Sequence, residues 1–250
     1  MKEVHRNVRE RFGDFESVEK AGELKTRPRV TVSYAQTLDG RIATRSGSSQ
    51  WISSPESLRF AHELRAEHDA ILVGAGTVCN DDPSLTVRHA PGADPLRVIV
   101  DSTLRTPLSS AVFTDGAAAN TLVAVTESAS KSRRREAELL GTTVVPTPPD
   151  KTGRVKLDFL LSELGRFGIS SVMVEGGASL ITSLLKARLV DGIAVCIAPK
   201  ILGSGLEAVG ELDIHDLDDC ITFNNTSLQK YGPDIVLSAD LCYCDRDRGS

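Results

Sequence analysis

The stretch A-I-L-V-G-A-G-T-V-C-N-D-D-P-S-L-T-V-R, residues 70–88, decides the fold of this chain. Its apolar start predicts a buried β-strand, and two glycines follow where that strand ends. The acidic pair Asp81-Asp82 and the single cation Arg88 come next. A strand that runs into glycines and then into charged residues is typical of a ligand site at the carboxyl edge of a sheet. A strand followed by an ordinary turn is the alternative.

A second stretch, V-M-V-E-G-G-A-S at 172–179, has the same design, and a helix is predicted directly after its glycines. Glycine lets the backbone approach a ligand closely, and the free N–H groups of a helix start suit a phosphate or pyrophosphate. If both stretches end neighbouring strands, they predict a dinucleotide that lies across the sheet. Tight turns that pack a strand against a helix would leave the same pattern.

The rest of the chain alternates predicted strands with predicted helices, and its last two strands have no helix between them. Those two strands should therefore pair as an antiparallel hairpin. The predicted fold class is α/β, with a mostly parallel mixed sheet that ends in an antiparallel C-terminal hairpin. The predicted strands are 30–35, 70–73, 96–100, 121–125, 142–145, 171–174, 192–198, 221–229 and 235–241, and the main predicted helices are 54–68, 131–140, 157–167 and one from 178.

The chain divides into an N-terminal arm (1–28), one domain (29–241) and a C-terminal tail (242–250). Apolar residues at nearly helical spacing predict a short helix in the arm, through Val4, Val8, Phe12 and Phe15. The helix at 54–68 has a strong start signal, because Ser53 or Ser54 can cap it, Pro55 suits its first turn, and Ser53 with Glu56 forms a capping box.

Composition excludes several classes of function. The 250 residues carry a net charge of −5 with interspersed signs, and only 4% are aromatic, so no nucleic-acid partner is expected. Five cysteines, an odd number, fit reduced thiols, and no apolar run is long enough to span a bilayer, so a cytoplasmic protein without membrane contact is expected. The five histidines form no metal motif and no G-x-S-x-G is present, so neither a metal site nor a nucleophilic mechanism is expected.

Four side chains are candidates for ligand contact. Glu175 follows an apolar run, where a carboxylate costs free energy unless it is paired or bound, so it should bind polar ligand groups or cap its own loop. Arg65 and Arg88 are candidate phosphate ligands, because a guanidinium matches phosphate with two hydrogen bonds. Trp51, the only tryptophan, is either a core residue or a flat lid on a ring of the ligand.

Six motifs in fixed order and spacing resemble those of the pyrimidine reductases of riboflavin biosynthesis. They are T-L-D-G-R-I-A (37–43), Q-W-I-S-S-P (50–55), V-G-A-G-T-V (73–78), D-D-P-S-L-T-V-R (81–88), V-E-G-G (174–177) and A-P-K-I-L-G (198–203). The resemblance implies a dihydrofolate-reductase-like, three-layer α/β/α reductase domain at 29–241, NADPH as the cofactor, and a homodimer. It implies that hydride passes from the nicotinamide C4 to the C1′ of a ribosylamino sugar in its open-chain imine form, which becomes a ribitylamino group.

The resemblance also assigns site residues. Glu175 and Asp39 would be catalytic, and substrate contacts would fall on Ser49, Arg65, Leu85, Arg88 and Glu175. Arg41 stands where relatives often carry lysine, and arginine hardly deprotonates, so a proton-donor role there is doubtful. Cofactor contacts would fall on Ala35, Trp51, Gly74, Gly76, Thr77, Asp81, Ser102, Gly176, Gly177, Ala178, Ser179 and Leu180, with the backbone from Gly177 to Ser183.

The sequence leaves the exact substrate and the activity open. The substrate would be 2,5-diamino-6-ribosylamino-4(3H)-pyrimidinone 5′-phosphate or its deaminated 5-amino-uracil form. No H-A-E or P-C-x-x-C motif of a zinc deaminase is present, so a stand-alone reductase is expected. The alternatives are an NADPH reductase of another pterin-like substrate, such as dihydrofolate, and a non-catalytic nucleotide-binding module.

Overall fold

A computed structural model describes residues 27–50 and 52–244. The helix predicted in the N-terminal arm and the lid predicted at Trp51 lie outside these described residues. No helix in the two ranges is both long and apolar enough to cross a membrane.

Nine strands form one sheet, and β2 and β9 pair separately. The described strands are β1 (Arg29–Thr37), β2 (Arg41–Thr44), β3 (Ala70–Gly74), β4 (Leu96–Val100), β5 (Thr121–Val125), β6 (Thr143–Pro146), β7 (Ser171–Glu175), β8 (Gly192–Ala198), β9 (Gly205–Glu207), β10 (Thr222–Tyr231) and β11 (Asp234–Cys242). The sheet order is β10-β11-β8-β1-β7-β3-β4-β5-β6. The seven strands from β8 to β6 are mutually parallel, and β11 pairs antiparallel with both β8 and β10. The predicted fold class and hairpin are confirmed.

Helices cover both faces of the sheet. The described α-helices are α1 (Pro55–Ala66), α2 (Ala75–Asp81), α3 (Ala111–Thr114), α4 (Lys131–Leu139), α5 (Leu157–Arg166) and α6 (Ala178–Lys186). Alternate strand residues enter opposite cores, as the period of two requires. One core packs α5 and α6 on residues such as Val32 and Val174, and the other packs α2, α3 and α4 on residues such as Val73 and Val123. This gives three layers, with the sheet in the middle.

Two local details differ from the prediction. The glycines after β3 begin a helix at once, with Gly74 as the N-cap of α2, whereas the sequence indicated a loop there. The cap of α1 is Ser54, whose side chain accepts from Ser57 N–H, so the predicted capping box of Ser53 with Glu56 is not the pair that forms. The predicted C-terminal tail starts at Cys242, which is the last residue of β11.

Asp234 fixes α1 against the C-terminal hairpin. Its carboxylate is 1% exposed and accepts from the backbone N–H of Ser54 at 2.7 Å and from the hydroxyl of Ser57 at 2.7 Å. A carboxylate at a helix start satisfies free N–H groups and is favoured by the helix dipole. The hairpin therefore sets where α1 begins, and hence where the side chains in its last turns point.

Candidate active site

The two glycine stretches meet at the carboxyl edge of the sheet, because β3 and β7 are neighbours. Gly176 and Gly177 have φ of +74° and +81°, a conformation that side chains rarely adopt. A Cβ on Gly177 would lie 3.4 Å from Thr77 Oγ1 and 3.9 Å from Gly74 N. The starts of α2 and α6 thus approach each other closely, and glycine is what permits the approach.

A buried ion pair joins α1 to the end of β7. Arg65 Nε donates to Glu175 Oε2 at 2.7 Å, and Arg65 Nη2 donates to Glu175 Oε1. Arg65 Nη1 donates to the carbonyl of Thr86 at 3.0 Å, and the arginine side chain is 8% exposed. This two-point geometry fixes the direction of the Glu175 carboxylate, and the third hydrogen bond holds the loop that follows α2.

That loop, residues 82–88, is held at several points by distant side chains. Arg97 Nη1, from the middle of β4, donates to the carbonyl of Ser84 at 3.0 Å. The backbone N–H of Val87 donates to Asp94 Oδ1 at 2.6 Å. Leu85 is 2% exposed and has φ of +57°, so its side chain lies in the core and only its backbone can face a ligand.

Arg88 ends the loop, and its side chain is exposed. Arg88 Nη1 donates to Thr86 Oγ1 at 2.9 Å, and the guanidinium forms no ion pair with any carboxylate of the described ranges. An arginine in this state keeps most of its donors for an anionic ligand. The backbone N–H of Arg88 donates to His62 Nδ1 at 3.1 Å.

A second set of groups surrounds the start of α6. Ser102, after β4, accepts from the backbone N–H of Val155 at 3.0 Å, and Arg154 Nη1 donates to Ser179 Oγ at 3.2 Å. A cavity of about 550 Å³ lies along this helix between Arg154 and Lys186. The carboxyl ends of β3, β4 and β7 therefore bring the predicted cofactor contacts, including Ser102 and Ser179, into one region.

Asp39 lies in a separate cluster, in the turn between β1 and β2. Its carboxylate accepts from Thr37 Oγ1 at 2.6 Å and from the backbone N–H groups of Leu202 and Gly203, at 3.0 and 2.6 Å. These hydrogen bonds, that from Thr37 first, lower the pKa of Asp39 to about 2. An ionised Asp39 ties two loops together and cannot donate a proton at neutral pH.

The remaining predicted contacts are placed as follows. Ala35 is in β1, beside Cys196 of β8. Ser49 is in the loop before α1, where its carbonyl accepts from Ile52 N–H at 3.2 Å. Asp81 ends α2, and burial raises the pKa of its carboxyl. The roles assigned to these residues remain predictions.

The structure adds three residues that the sequence analysis did not single out: His62, Arg97 and Arg154. His62 lies one turn before Arg65, and a residue at that spacing shares its helix face, so position alone could have indicated it. Arg97 interrupts an otherwise apolar strand and is 1% exposed. Within the described residues, no cluster of His, Cys, Asp and Glu is arranged to hold a metal ion.

Neighbouring strands of the parallel sheet end in contacting glycines, beside a buried arginine–glutamate pair and an exposed arginine. This arrangement is typical of proteins that bind a nucleotide-type ligand at the carboxyl edge of the sheet. The family model of the RibD C-terminal domain matches residues 28–237. The chain belongs to this family.

Relatives in the family are of two lengths. The chain is 41% identical over 212 residues to the riboflavin biosynthesis protein RibD of Aquifex aeolicus, covering 84% of this chain and 57% of that protein. It is 44% identical over 217 residues to the 2,5-diamino-6-ribosylamino-4(3H)-pyrimidinone 5′-phosphate reductase of Methanothermobacter thermautotrophicus, covering 84% of this chain and 97% of that one. The chain thus spans little more than half of the first relative and nearly all of the second.

Solved structures share the fold. RibD of Acinetobacter baumannii superposes with a TM-score of 0.73 at 28% identity, over 86% of this chain and 58% of that one. The riboflavin biosynthesis reductase Rib7 of Saccharomyces cerevisiae gives a TM-score of 0.67 at 28% identity, over 91% and 95% of the two chains. The architecture described above is therefore that of the family.

The Arg65–Glu175 pair should contribute strongly to stability, because removal of one partner leaves a poorly solvated charge. We expect Arg65→Met to lower the free energy of unfolding by about 3 kcal/mol, the lower end of the range for buried pairs, since Glu175 is 28% exposed. Arg59→Met is the matched control on the same helix, because Arg59 pairs with Glu63 at the surface and should cost less than about 1 kcal/mol. Urea unfolding measures both, and equal losses would contradict the assignment.

Proposed function

We propose that this chain reduces the ribosylamino group of a pyrimidine ribosyl 5′-phosphate to a ribitylamino group, with NADPH as the reductant. The observation that carries the proposal is the 44% identity to a relative named as such a reductase, which this chain covers almost entirely. The geometry supports it, because the glycine turns that end β3 and β7 meet next to a fixed carboxylate and an exposed cation.

The cofactor cleft is formed by the starts of α2 and α6. Bound NADPH would supply a hydride there. Free N–H groups at the start of α6 suit the pyrophosphate, and a side chain at Gly177 would crowd Thr77 there. Arg154 adds a cation beside Ser179, near the same helix start. Asp81 and Ser102 belong to the same proposal as cofactor contacts.

The substrate side is formed by Glu175, Arg88 and the loop that ends in Arg88. Each carboxylate oxygen of Glu175 keeps a lone pair after its bond to Arg65, so it can face the cationic imine or the sugar hydroxyls. Arg88 is the better placed phosphate ligand, because three of the five N–H groups of Arg65 already bind Glu175 and Thr86. Arg65 retains two donors for the substrate, and Ser49 and the backbone of Leu85 complete the proposed contacts.

This arrangement works mainly by position and electrostatics. The reaction needs the sugar C1′ near the hydride donor and a negative group near the imine, and a carboxylate fixed by a buried arginine does not have to reorganise during the reaction. The resemblance gives Asp39 a catalytic role, and its lowered pKa limits that role to one without proton donation at neutral pH. In this proposal Asp39 also ties the turn after β1 to the loop after β8.

The function is tested by following NADPH oxidation in the presence of each candidate substrate. We expect turnover with the 2,5-diamino pyrimidine ribosyl phosphate or with its deaminated 5-amino-uracil form. Turnover with dihydrofolate alone would instead support a reductase of pterin-like substrates. Binding of NADPH without turnover on any of the three would support a non-catalytic module.

Glu175→Gln should separate the electrostatic role from cofactor binding. We expect turnover to fall about 100-fold, since a charge directed at the reacting centre is lost, while the KM for NADPH changes little. Glu163→Gln is the control, because Glu163 is buried and is likewise paired with an arginine, Arg166, but lies on α5. Unchanged turnover in Glu175→Gln, with thermal unfolding measured in parallel, would remove Glu175 from the mechanism.

We also propose a homodimer, and the sheet offers a surface for it. The edge strand β10 is exposed along nearly its whole length and presents Phe223 and Leu228 to solvent. A long exposed edge with apolar side chains is suited to pairing with a second chain. Light scattering on the purified protein should give twice the chain mass of 26.8 kDa, and the mass of a single chain would contradict the dimer.

A further inference from the structure

His62 is buried directly behind the exposed arginine of the site. Its side chain lies in α1 and is 0% exposed. Its Nδ1 is 3.1 Å from the backbone nitrogen of Arg88. A backbone N–H can only donate, so Nδ1 is the acceptor and the proton of the neutral ring is on Nε2. The position of the Arg88 backbone therefore depends on an acceptor supplied by His62.

The surroundings of His62 keep it neutral. The ionisable groups that face it are Arg65, Arg88, His89 and Glu175. Burial first, and then the two arginines, lower the pKa of His62 to about 4. The ring of His89 stands edge-on to it, with 4.7 Å between the centroids, and Nε2 has no hydrogen-bond partner in the described ranges. A buried donor without a partner costs free energy, and the fold retains His62 in spite of that cost.

The other contacts of the loop hold different backbone atoms and leave the N–H of Arg88 to His62. Arg65 holds the carbonyl of Thr86, and Asp94 holds the N–H of Val87, but the N–H of Arg88 itself is held by His62. A lysine or arginine in place of His62 would offer no acceptor and would add a third positive charge beside Arg65 and Arg88. A neutral imidazole meets both requirements.

We propose that His62 is a positioning residue for the phosphate of the substrate: its neutral ring fixes the backbone of Arg88 so that the guanidinium faces the ligand. This inference rests on the proposed function, in which Arg88 binds the substrate phosphate. His62 touches no reacting atom and acts through Arg88.

The test is a double-mutant cycle between the two residues, with steady-state kinetics for both substrates. His62→Leu keeps an apolar side chain but removes the acceptor, and it should raise the KM for the pyrimidine substrate about tenfold, with kcat and the KM for NADPH within about twofold. His62→Asn places an oxygen near the position of Nδ1 and should restore most of the substrate affinity. In the Arg88→Ala background, His62→Leu should have little further effect, because the guanidinium through which it acts is gone.

His215→Leu is the control for replacing a histidine with leucine, since His215 is exposed and outside the site. A tenfold effect of His62→Leu that persists unchanged in the Arg88→Ala background would overturn the proposal, as would a normal KM in His62→Leu. Absence of turnover in the wild-type protein, or a normal KM in Arg88→Ala, would instead contradict the proposed function or the role of Arg88.

The ring itself gives a second readout that does not need turnover or a stable leucine variant. In ¹⁵N spectra of the wild-type protein, His62 should show an unprotonated Nδ1 and a protonated Nε2, and it should stay neutral as the pH falls from neutral to about 5, below the ordinary histidine pKa of about 6.5. A charged His62 ring at pH 6 would overturn the proposal. Because folding lowers this pKa, its contribution to stability is complete above about pH 6.5 and is lost as the pH falls towards 4.

Discussion

The ion pair between Arg65 and Glu175 is the interaction on which the site depends. It joins residues that are 110 positions apart, one in the last turns of α1 and one at the end of β7. A buried guanidinium is tolerated only when its donors are satisfied, and Arg65 satisfies three of them with Glu175 and the carbonyl of Thr86. The requirement to pair this one cation therefore fixes the helix, the strand end and the loop relative to each other.

The same constraint explains how a loop can be ordered without regular structure. Residues 82–88 form no helix or strand, yet side chains from α1 and β4 bind the backbone at Ser84, Thr86 and Arg88. Asp82 and Leu85 have positive φ. In a residue other than glycine this conformation costs about 1–3 kcal/mol and persists only where the surrounding structure imposes it. Strain at two positions of a loop held by buried arginines is consistent with a loop whose shape serves a ligand.

Much of this fold is predictable from local pattern. Strands β3, β4 and β7 are short, mostly apolar runs that end at or just before a glycine or a charged residue. The alternation of strands and helices predicts a parallel sheet with its strand ends at one edge. The condition for a dinucleotide across the sheet, that the two glycine stretches end neighbouring strands, is met because β3 and β7 are paired. The helix that begins at Ala75 was missed, because it has seven residues and a glycine in its first turn, which lowers helix propensity.

The contacts within the site are not predictable from local pattern, because they join residues that are far apart in the sequence. Arg65 could be identified as a candidate ligand from its charge, but its partner Glu175 is revealed only by the pairing of α1 with the end of β7. Arg97 likewise is an unexplained charge in an apolar strand until its six hydrogen bonds, to five residues between Ser84 and Thr121, are seen together. Sequence patterns identify which groups are available, while packing decides which of them are consumed internally and which remain for a ligand.

Internal pairing decides which charges at the carboxyl edge remain available to a ligand. Arg65 and Glu175 largely neutralise each other, and burial, together with the two arginines beside it, keeps His62 uncharged. The exposed Arg88 forms no ion pair with a carboxylate of the described residues, and Arg154 donates to Ser179 beside the start of α6. Exposed arginines and a fixed carboxylate at one edge of the sheet suit anionic ligands that meet at a centre where positive charge develops. The buried pair contributes to this arrangement because it fixes the direction of the Glu175 carboxylate and holds the loop that ends in Arg88.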